Sequence, residues 1–137
     1  MSAIAVDTSI IIAILRAEPE ERRFTDAVID ADAACMSAVS LQESSMVLAG
    51  QRGLAAVWQP LDELIRQLAL EIVPHDRQLA TIAREAFLRF GKGRHPAALN
   101  CGDCASYALA KARGVPLLFK GRDFAQTDIT AALGQPG

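Results

Sequence analysis

The stretch from Leu99 to Phe124, which reads LNCGDCASYALAKARGVPLLFKGRDF, decides the fold of this chain. Its first half spaces apolar residues as a helix does, and Gly114 follows as a C-cap. The next residues, Val115 to Phe119, are apolar throughout, as expected of a strand covered on both faces in a parallel sheet. A helix, a tight turn and a buried strand make half of an α/β unit.

Two acidic residues flank this helix and strand. Asp103 lies in the first turn of the helix, and Asn100, three residues earlier, is expected to cap it. Asp123 follows the strand. Because ligand crevices in open α/β sheets lie at the carboxyl ends of the strands, an acid at this place is well positioned for chemistry.

Length and composition indicate a single domain with one core. The chain has 137 residues, of which 51% are hydrophobic and 5% aromatic, as suits an α/β protein rich in Ala, Leu and Val. We expect one domain over residues 1–137, with the last few residues as a flexible tail. The expected fold class is α/β, with a central, mostly parallel sheet of four to five short strands flanked by helices on both faces.

Charge, cysteine content and hydropathy exclude several classes of protein. The net charge of −2 argues against a domain that holds nucleic acid by bulk electrostatics, although not against a local basic rim. Three cysteines without an export signal argue against a disulfide framework. Because no stretch reaches about 18 uncharged apolar residues, we expect a cytoplasmic protein with no membrane partner.

Two further acids, Asp7 and Glu43, occupy positions similar to that of Asp103. Asp7 follows a short apolar run, and Glu43 lies near the start of a predicted helix. A structural interpretation makes Asp7 an N-cap and Ser40 to Glu43 a capping box. A functional interpretation places both carboxylates at the mouth of one crevice, with hydroxyls beside Asp7 at Thr8 and Ser9. From these residues alone, both interpretations stay open.

The pair Cys101 and Cys104 has the CxxC spacing of a redox or zinc half-site. Asp103 lies inside the pair, the chain has no second pair, and the strand pattern that flanks a thioredoxin-like site is absent. The spacing is therefore a poor indication of redox or zinc chemistry.

A basic loop, GKGRHP at residues 91–96, precedes Leu99. Its glycines and proline explain it as a solvated connection. Its cations also suit a rim that contacts phosphate, because they lie fewer than a dozen residues before the acidic helix. Candidate phosphate contacts in this loop and after the last strand are Lys92, Arg94, Lys120 and Arg122.

A doubly wound sheet would gather four acids at one edge, namely Asp7, Glu43, Asp103 and Asp123. Two unit charges 4 Å apart repel by about 4 kcal/mol at an effective dielectric near 20, and a helix N-terminus relieves only about 0.3–1 kcal/mol per carboxylate. A divalent cation resolves the repulsion, and hard oxygen ligands select Mg²⁺ or Mn²⁺ over zinc. Water activated by such an ion is a nucleophile for a phosphodiester.

The order of these acids resembles that of the PIN-domain toxins of the VapC family. The resemblance is most specific in GKGRHPAALNCGDCASYALAKARGVPLLFKGRDFAQTDI, residues 91–129, and extends to VDTSIIIAIL at residues 6–15 and SAVSLQESSMVLAG at residues 37–50. Where the family often has an aromatic residue after the asparagine, this chain has Cys101. From the first of these stretches to the last, the resemblance covers nearly the whole chain.

The resemblance implies a single PIN-like domain and a metal-dependent ribonuclease, the toxin of a toxin–antitoxin pair. It implies an RNA substrate, a cognate antitoxin and a homodimer. Asp7 and Asp103 would be the principal ligands of Mg²⁺ or Mn²⁺, and Glu43 and Asp123 would complete the catalytic site, partly through waters. Supporting positions would fall on Thr8, Ser9 and Asn100, and the role of Asp128 stays open.

Two other functions are compatible with acids at strand ends. A phosphoacceptor domain of the haloacid-dehalogenase type would need Asp-x-Asp-x-Thr after the first strand, where this chain has Asp7-Thr8-Ser9-Ile10. A non-catalytic RNA- or partner-binding module would use the acids as helix caps alone. Unchanged thermal stability on adding Mn²⁺ would favour that module, because a ligand that binds only the native state stabilises it.

Overall fold

The computed structural model describes residues 2–50 and 57–133, which form a four-stranded parallel sheet with the strand order β3-β2-β1-β4. The strands are β1 (Ile4–Val6), β2 (Ala34–Ser37), β3 (Glu71–Val73) and β4 (Leu117–Leu118). The α-helices in the described ranges are α1 (Thr8–Leu15), α2 (Glu21–Asp30), α3 (Ala38–Ala49), α4 (Gln59–Gln67), α5 (Arg77–Phe90) and α6 (Cys101–Arg113). None of these helices is long and apolar enough to cross a membrane.

Helices cover both faces of the sheet, as the sequence predicts. Successive strand residues point to opposite faces, so Ala5 and Cys35 pack with the apolar side chains of α5 and α6, whereas Val6 and Met36 pack with those of α1 to α4. The apolar residues that recur at helical spacing in the first four helices are therefore part of the core, apart from a few exposed side chains such as Ile29.

The last strand is shorter than its apolar sequence predicts. Val115 donates its N–H to Ala110 O, and Gly114 adopts a left-handed conformation with φ of 63°, so both residues complete the end of α6. At the other end, the Lys120 N–H donates to the Ser9 hydroxyl. Only Leu117 and Leu118 are left to pair with β1. An isolated bridge between Leu117 and Ala131 extends the sheet beyond β4.

Ser37 and Ser40 both suit the start of α3 by sequence; the helix begins directly after Ser37, and the capping box at Ser40 to Glu43 is wrong. The N-cap is Ser37, whose hydroxyl accepts the Val39 N–H at 3.0 Å. Glu43 consequently lies in the second turn, and its side chain is not used for capping. By sequence, Gly50 or Gly53 could end α3; the structure ends the helix at Ala49 with Gly50 as its C-cap, and Gly53 lies outside the described residues.

Asp128, whose role the sequence leaves open, fastens the segment after β4 to α5 and α6. Its carboxylate accepts a hydrogen bond of 2.5 Å from the Tyr107 hydroxyl and lies 3.2 Å from Lys111 Nζ and 3.5 Å from Arg89. Burial, and the proximity of the Asp128 carboxylate, raise the pKa of Tyr107 to about 12. The phenol therefore remains a donor at every physiological pH.

We predict that Tyr107→Phe lowers the free energy of unfolding by about 1–2 kcal/mol, because it removes a hydrogen bond from a buried hydroxyl to a carboxylate. Denaturant unfolding followed by circular dichroism measures the change. Asp26→Asn is the control, since Asp26 pairs only loosely with Arg22 on the exposed side of α2, at 3.9 Å, and should change stability by less than about 0.5 kcal/mol. Equal effects of the two substitutions would contradict a role for Asp128 as a fastening point.

Candidate active site

The strand order reverses direction at β1, so the carboxyl ends of β1 and β4 form a topological switch point. The chain runs outward from β1 to β2 and β3, then returns to the opposite side of β1 for β4. Ligands of open α/β sheets bind where the strand order reverses in this way. Asp7 directly follows β1 at this point, and Asp123 follows β4.

The Asp7 carboxylate is buried, with 4% of the residue exposed, and three donors satisfy it. Oδ2 accepts from the Ser9 N–H at 3.0 Å and the Ser9 hydroxyl at 2.7 Å, which confirms Asp7 as the N-cap of α1. Oδ1 accepts from the Ser106 hydroxyl at 2.6 Å. The neighbouring Thr8 hydroxyl is buried and has no hydrogen-bond partner in the described part of the chain. Asp7 is thus both the N-cap of α1 and one of the four predicted acids.

Asp103 is held in a hydrogen-bonded helix cap, and the other acids affect its pKa. Its carboxylate accepts the Asn100 N–H at 3.0 Å, and the Asn100 side chain accepts the Asp103 N–H at 2.9 Å, so the predicted capping pair is a complete capping box. Burial, together with the weaker effect of the negative charges of Asp7, Glu43 and Asp123, raises the pKa of Asp103 to about 6, against the opposing effect of the Asn100 N–H bond. The other three predicted acids therefore all lie within electrostatic reach of Asp103.

The carboxylate of Glu43 lies directly against the backbone of Gly102, one residue before Asp103. A Cβ atom at Gly102 would overlap both carboxylate oxygens and would lie 2.7 Å from Glu43 Cδ. Glu43 reaches Asp103 from α3 only because Gly102 has no side chain. Sequence reasoning missed this contact, since a glycine in the first turn of a helix carries no signal of the residue that packs against it.

The donor set at this edge suits a hard cation. It consists of carboxylate and hydroxyl oxygens, which are the ligands preferred by Mg²⁺ and Mn²⁺. Within residues 2–50 and 57–133, no three His, Cys, Asp or Glu side chains converge as a ready-made metal cage. Mg²⁺ is usually held by one or two carboxylates with several waters, so two acids are sufficient for it.

The cysteine pair is a different matter. Cys101 is exposed, Cys104 is buried, and both are free thiols. Burial raises the pKa of Cys104 to about 11, so almost none of this thiol is ionised at neutral pH. The Cys104 thiol is part of the core between α6 and the sheet.

The predicted phosphate contacts are in two different situations. Lys92, Arg94 and Arg122 are exposed. The Lys120 ammonium instead lies between two acids, 2.7 Å from Glu18 Oε1 and 3.2 Å from Glu20 Oε1. Its charge is therefore already paired within the protein.

Comparison with known proteins gives matches over nearly the whole chain. The PIN domain family model matches residues 4–129. The chain is 46% identical to Ribonuclease VapC28 of Mycobacterium tuberculosis, over 93% of this chain and 96% of that protein. It is 43% identical to Ribonuclease VapC of Mycolicibacterium smegmatis, over 92% and 97%.

Solved structures with the same fold are more distant in sequence. VapBC2 from Rickettsia felis, bound to a DNA fragment from its promoter, superposes with a TM-score of 0.74 at 14% identity, covering 94% of this chain and 96% of that one. VapC20 of Mycobacterium tuberculosis, a sarcin-ricin loop cleaving toxin, superposes with a TM-score of 0.70 at 17% identity, covering 93% and 96%. At these identities the likeness concerns the fold.

We predict that Gly102→Ala displaces the Glu43 carboxylate while leaving the protein folded. The atoms that must yield are the end of a flexible side chain, and alanine is favoured over glycine in a helix by about 1 kcal/mol. The melting temperature should stay level or rise, and a crystal structure should show Glu43 turned away from Asp103. Gly50→Ala is the matched control, because its Cβ would meet only Val47 O at 3.6 Å. An unmoved Glu43 would contradict the close contact described above.

We predict that Asp103→Asn stabilises the chelator-treated protein at pH 7. The native pKa of about 6 lies above the ordinary 3.8, so ionisation of Asp103 weakens the native state as pH rises from about 4 to 6. Asparagine accepts the same N–H bond without the charge. The gain should be about 1–2 kcal/mol at pH 7, after discounting for partial exposure, and should vanish near pH 3.5. Unfolding curves at both pH values measure it, and a pH-independent difference would argue against repulsion as the cause.

Proposed function

Because this chain belongs to the PIN-domain family and, within it, to the VapC ribonucleases, we propose that it hydrolyses RNA phosphodiesters with Mg²⁺ or Mn²⁺ at the four-acid cluster. The observation that carries the proposal is the convergence of acids from separate elements: Ser106 of α6 donates to Asp7 at 2.6 Å, and the Glu43 carboxylate lies against Gly102, next to Asp103. Carboxylates from four separate segments at one sheet edge are costly unless a cation joins them.

Asp7 and Asp103 are the proposed principal metal ligands, with Glu43 and Asp123 completing the site partly through waters. A divalent ion supplies Lewis-acid activation of water and neutralises charge on the phosphate. The protein's own part is to present the carboxylates in fixed orientations. Ser9 holds Asp7 from within α1, while Asn100 holds Asp103 through the capping box.

Substrate phosphate is proposed to lie against the exposed cations around this edge. Lys92 and Arg94 project from the loop before α6, and Arg122 follows β4 next to Asp123. Lys120 can join them only by giving up its contacts with Glu18 and Glu20. The net charge of −2 suits recognition of RNA by shape at a small site rather than by bulk electrostatics.

We further propose that the protein is the toxin of a toxin–antitoxin pair in the cytoplasm, with a cognate antitoxin and a second copy of itself as partners. VapBC from Salmonella typhimurium, a structural neighbour with a TM-score of 0.66 at 19% identity that covers 96% of each chain, was solved bound to DNA. Exposed apolar side chains are available for protein partners on three helices, at Ile29, Met46 and Leu88.

The test of the nuclease function is cleavage of a structured RNA pool by the purified protein with Mg²⁺, Mn²⁺ or chelator. Cleavage is expected with either ion and not with chelator. Asp103→Asn should lower the rate on the order of 100-fold or more, since it removes a proposed metal ligand. Because the same substitution is expected to stabilise the fold, unfolding does not account for the loss.

The matched control is Asp76→Asn. Asp76 is also an acid at a helix N-cap, where its carboxylate accepts the Leu79 N–H at 3.0 Å, but it is not among the acids that raise the pKa of Asp103. Its substitution should leave cleavage unchanged. A folded protein that gains no stability from Mn²⁺ and cleaves no RNA would favour the alternative, a non-catalytic RNA- or partner-binding module.

A further inference from the structure

A chain of buried hydroxyls reaches Asp7 from the side opposite Ser9. Ser106, 1% exposed, donates to Asp7 Oδ1 at 2.6 Å, and Ser40, fully buried, lies 3.4 Å from the Ser106 hydroxyl oxygen. A serine hydroxyl has one hydrogen to donate. Since Ser106 gives its hydrogen to Asp7, Ser40 must be the donor between the two serines. The hydrogen bonds therefore run from Ser40 to Ser106 and from Ser106 to Asp7.

Both serines lie on helices that also carry an acid of the cluster. Ser106 lies one turn after Asp103 on α6, and Ser40 lies one turn before Glu43 on α3. Asp7 ends the central strand. The bonds from Ser9 to Asp7 are local, whereas the bond from Ser106 spans 99 residues of sequence. It fastens the acid of β1 to the helix that carries Asp103.

We infer that Ser106, supported by Ser40, is a positioning residue that sets the orientation of Asp7 relative to Asp103 for binding a divalent cation. The inference rests on the proposed function, because it assigns Ser106 to the same metal site. The physical reason is that donors on both carboxylate oxygens fix the rotation of the Asp7 side chain. With Ser106 removed, Oδ1 loses a charge-assisted bond in a buried place, and the carboxylate turns to find another partner.

The test compares the Mn²⁺ affinity of the RNA-free protein, measured from its thermal stabilisation across a Mn²⁺ titration, between wild type, Ser106→Ala and Ser44→Ala. Residues that orient a metal ligand typically contribute 10–100-fold to affinity, so Ser106→Ala should weaken Mn²⁺ binding by about 10-fold or more. Ser44→Ala is the matched control, since Ser44 is a fully buried serine whose hydroxyl has no hydrogen-bond partner among the described residues. Its Mn²⁺ affinity should stay within about twofold of wild type.

A second readout separates positioning from general damage to the fold. RNA cleavage by Ser106→Ala should recover as Mn²⁺ is raised about 10-fold above the wild-type requirement, whereas Asp103→Asn should not recover. If the alanine variant does not fold, Ser106→Cys keeps the volume with a weaker donor, and should also weaken Mn²⁺ binding.

Two results would overturn the inference in distinguishable ways. A wild-type protein that binds Mn²⁺, with folded Ser106 variants that bind it equally well, would remove the role of Ser106 and leave the proposed function intact. A wild-type protein that neither gains stability from Mn²⁺ nor cleaves RNA would remove both.

Discussion

The Asp7 carboxylate is buried at the end of the inner strand β1, and the elements around it are arranged so that hydrogen-bond donors reach it. A buried charge without partners is costly, so Asp7 requires donors on every accessible side. Ser9 provides two of them because α1 begins directly after β1, and Ser106 provides the third because α6 crosses the end of the strand. The Ser9 hydroxyl in turn accepts the Lys120 N–H, which fixes where β4 stops. One buried side chain thus sets the relative positions of two helices and two strands.

The acids at this edge of the sheet lower the stability of the folded state, and interactions elsewhere in the fold compensate for this loss. Burial and the charges of Asp7, Glu43 and Asp123 all raise the pKa of Asp103, so its ionised form destabilises the folded protein. Apolar side chains on both faces of the sheet supply the opposing stabilisation. Ion pairs remote from the edge add to it in small amounts, such as the two bonds of 2.7 and 2.8 Å from Arg113 to Glu71. Acids that lower the stability of the fold but are suited to binding a cation agree with the function that the family implies.

Elements with local signals were predictable, and elements defined by competition between signals were not. Helix α6 is confirmed with both of its caps, Asn100 and Gly114, because each cap acts within a few residues of the helix end. The capping box at Ser40 is wrong because Ser37 and Ser40 are equally good N-caps in sequence, and only the end of β2 decides between them. Lys120 was a reasonable phosphate contact by charge, but its acids, Glu18 and Glu20, lie about a hundred residues away along the chain.

The residues with the chemistry for this site can be recognised from the sequence alone, and so can the α/β class with a parallel sheet. Hydrophobic period, capping residues and carboxylate chemistry are properties of single residues and their near neighbours, so they can be recognised without coordinates. The space that Gly102 leaves for Glu43, and the bond from Ser106 to Asp7, are visible only in the folded protein. Both contacts depend on how α6 packs against α3 and β1, because helix packing brings together side chains that no local pattern relates.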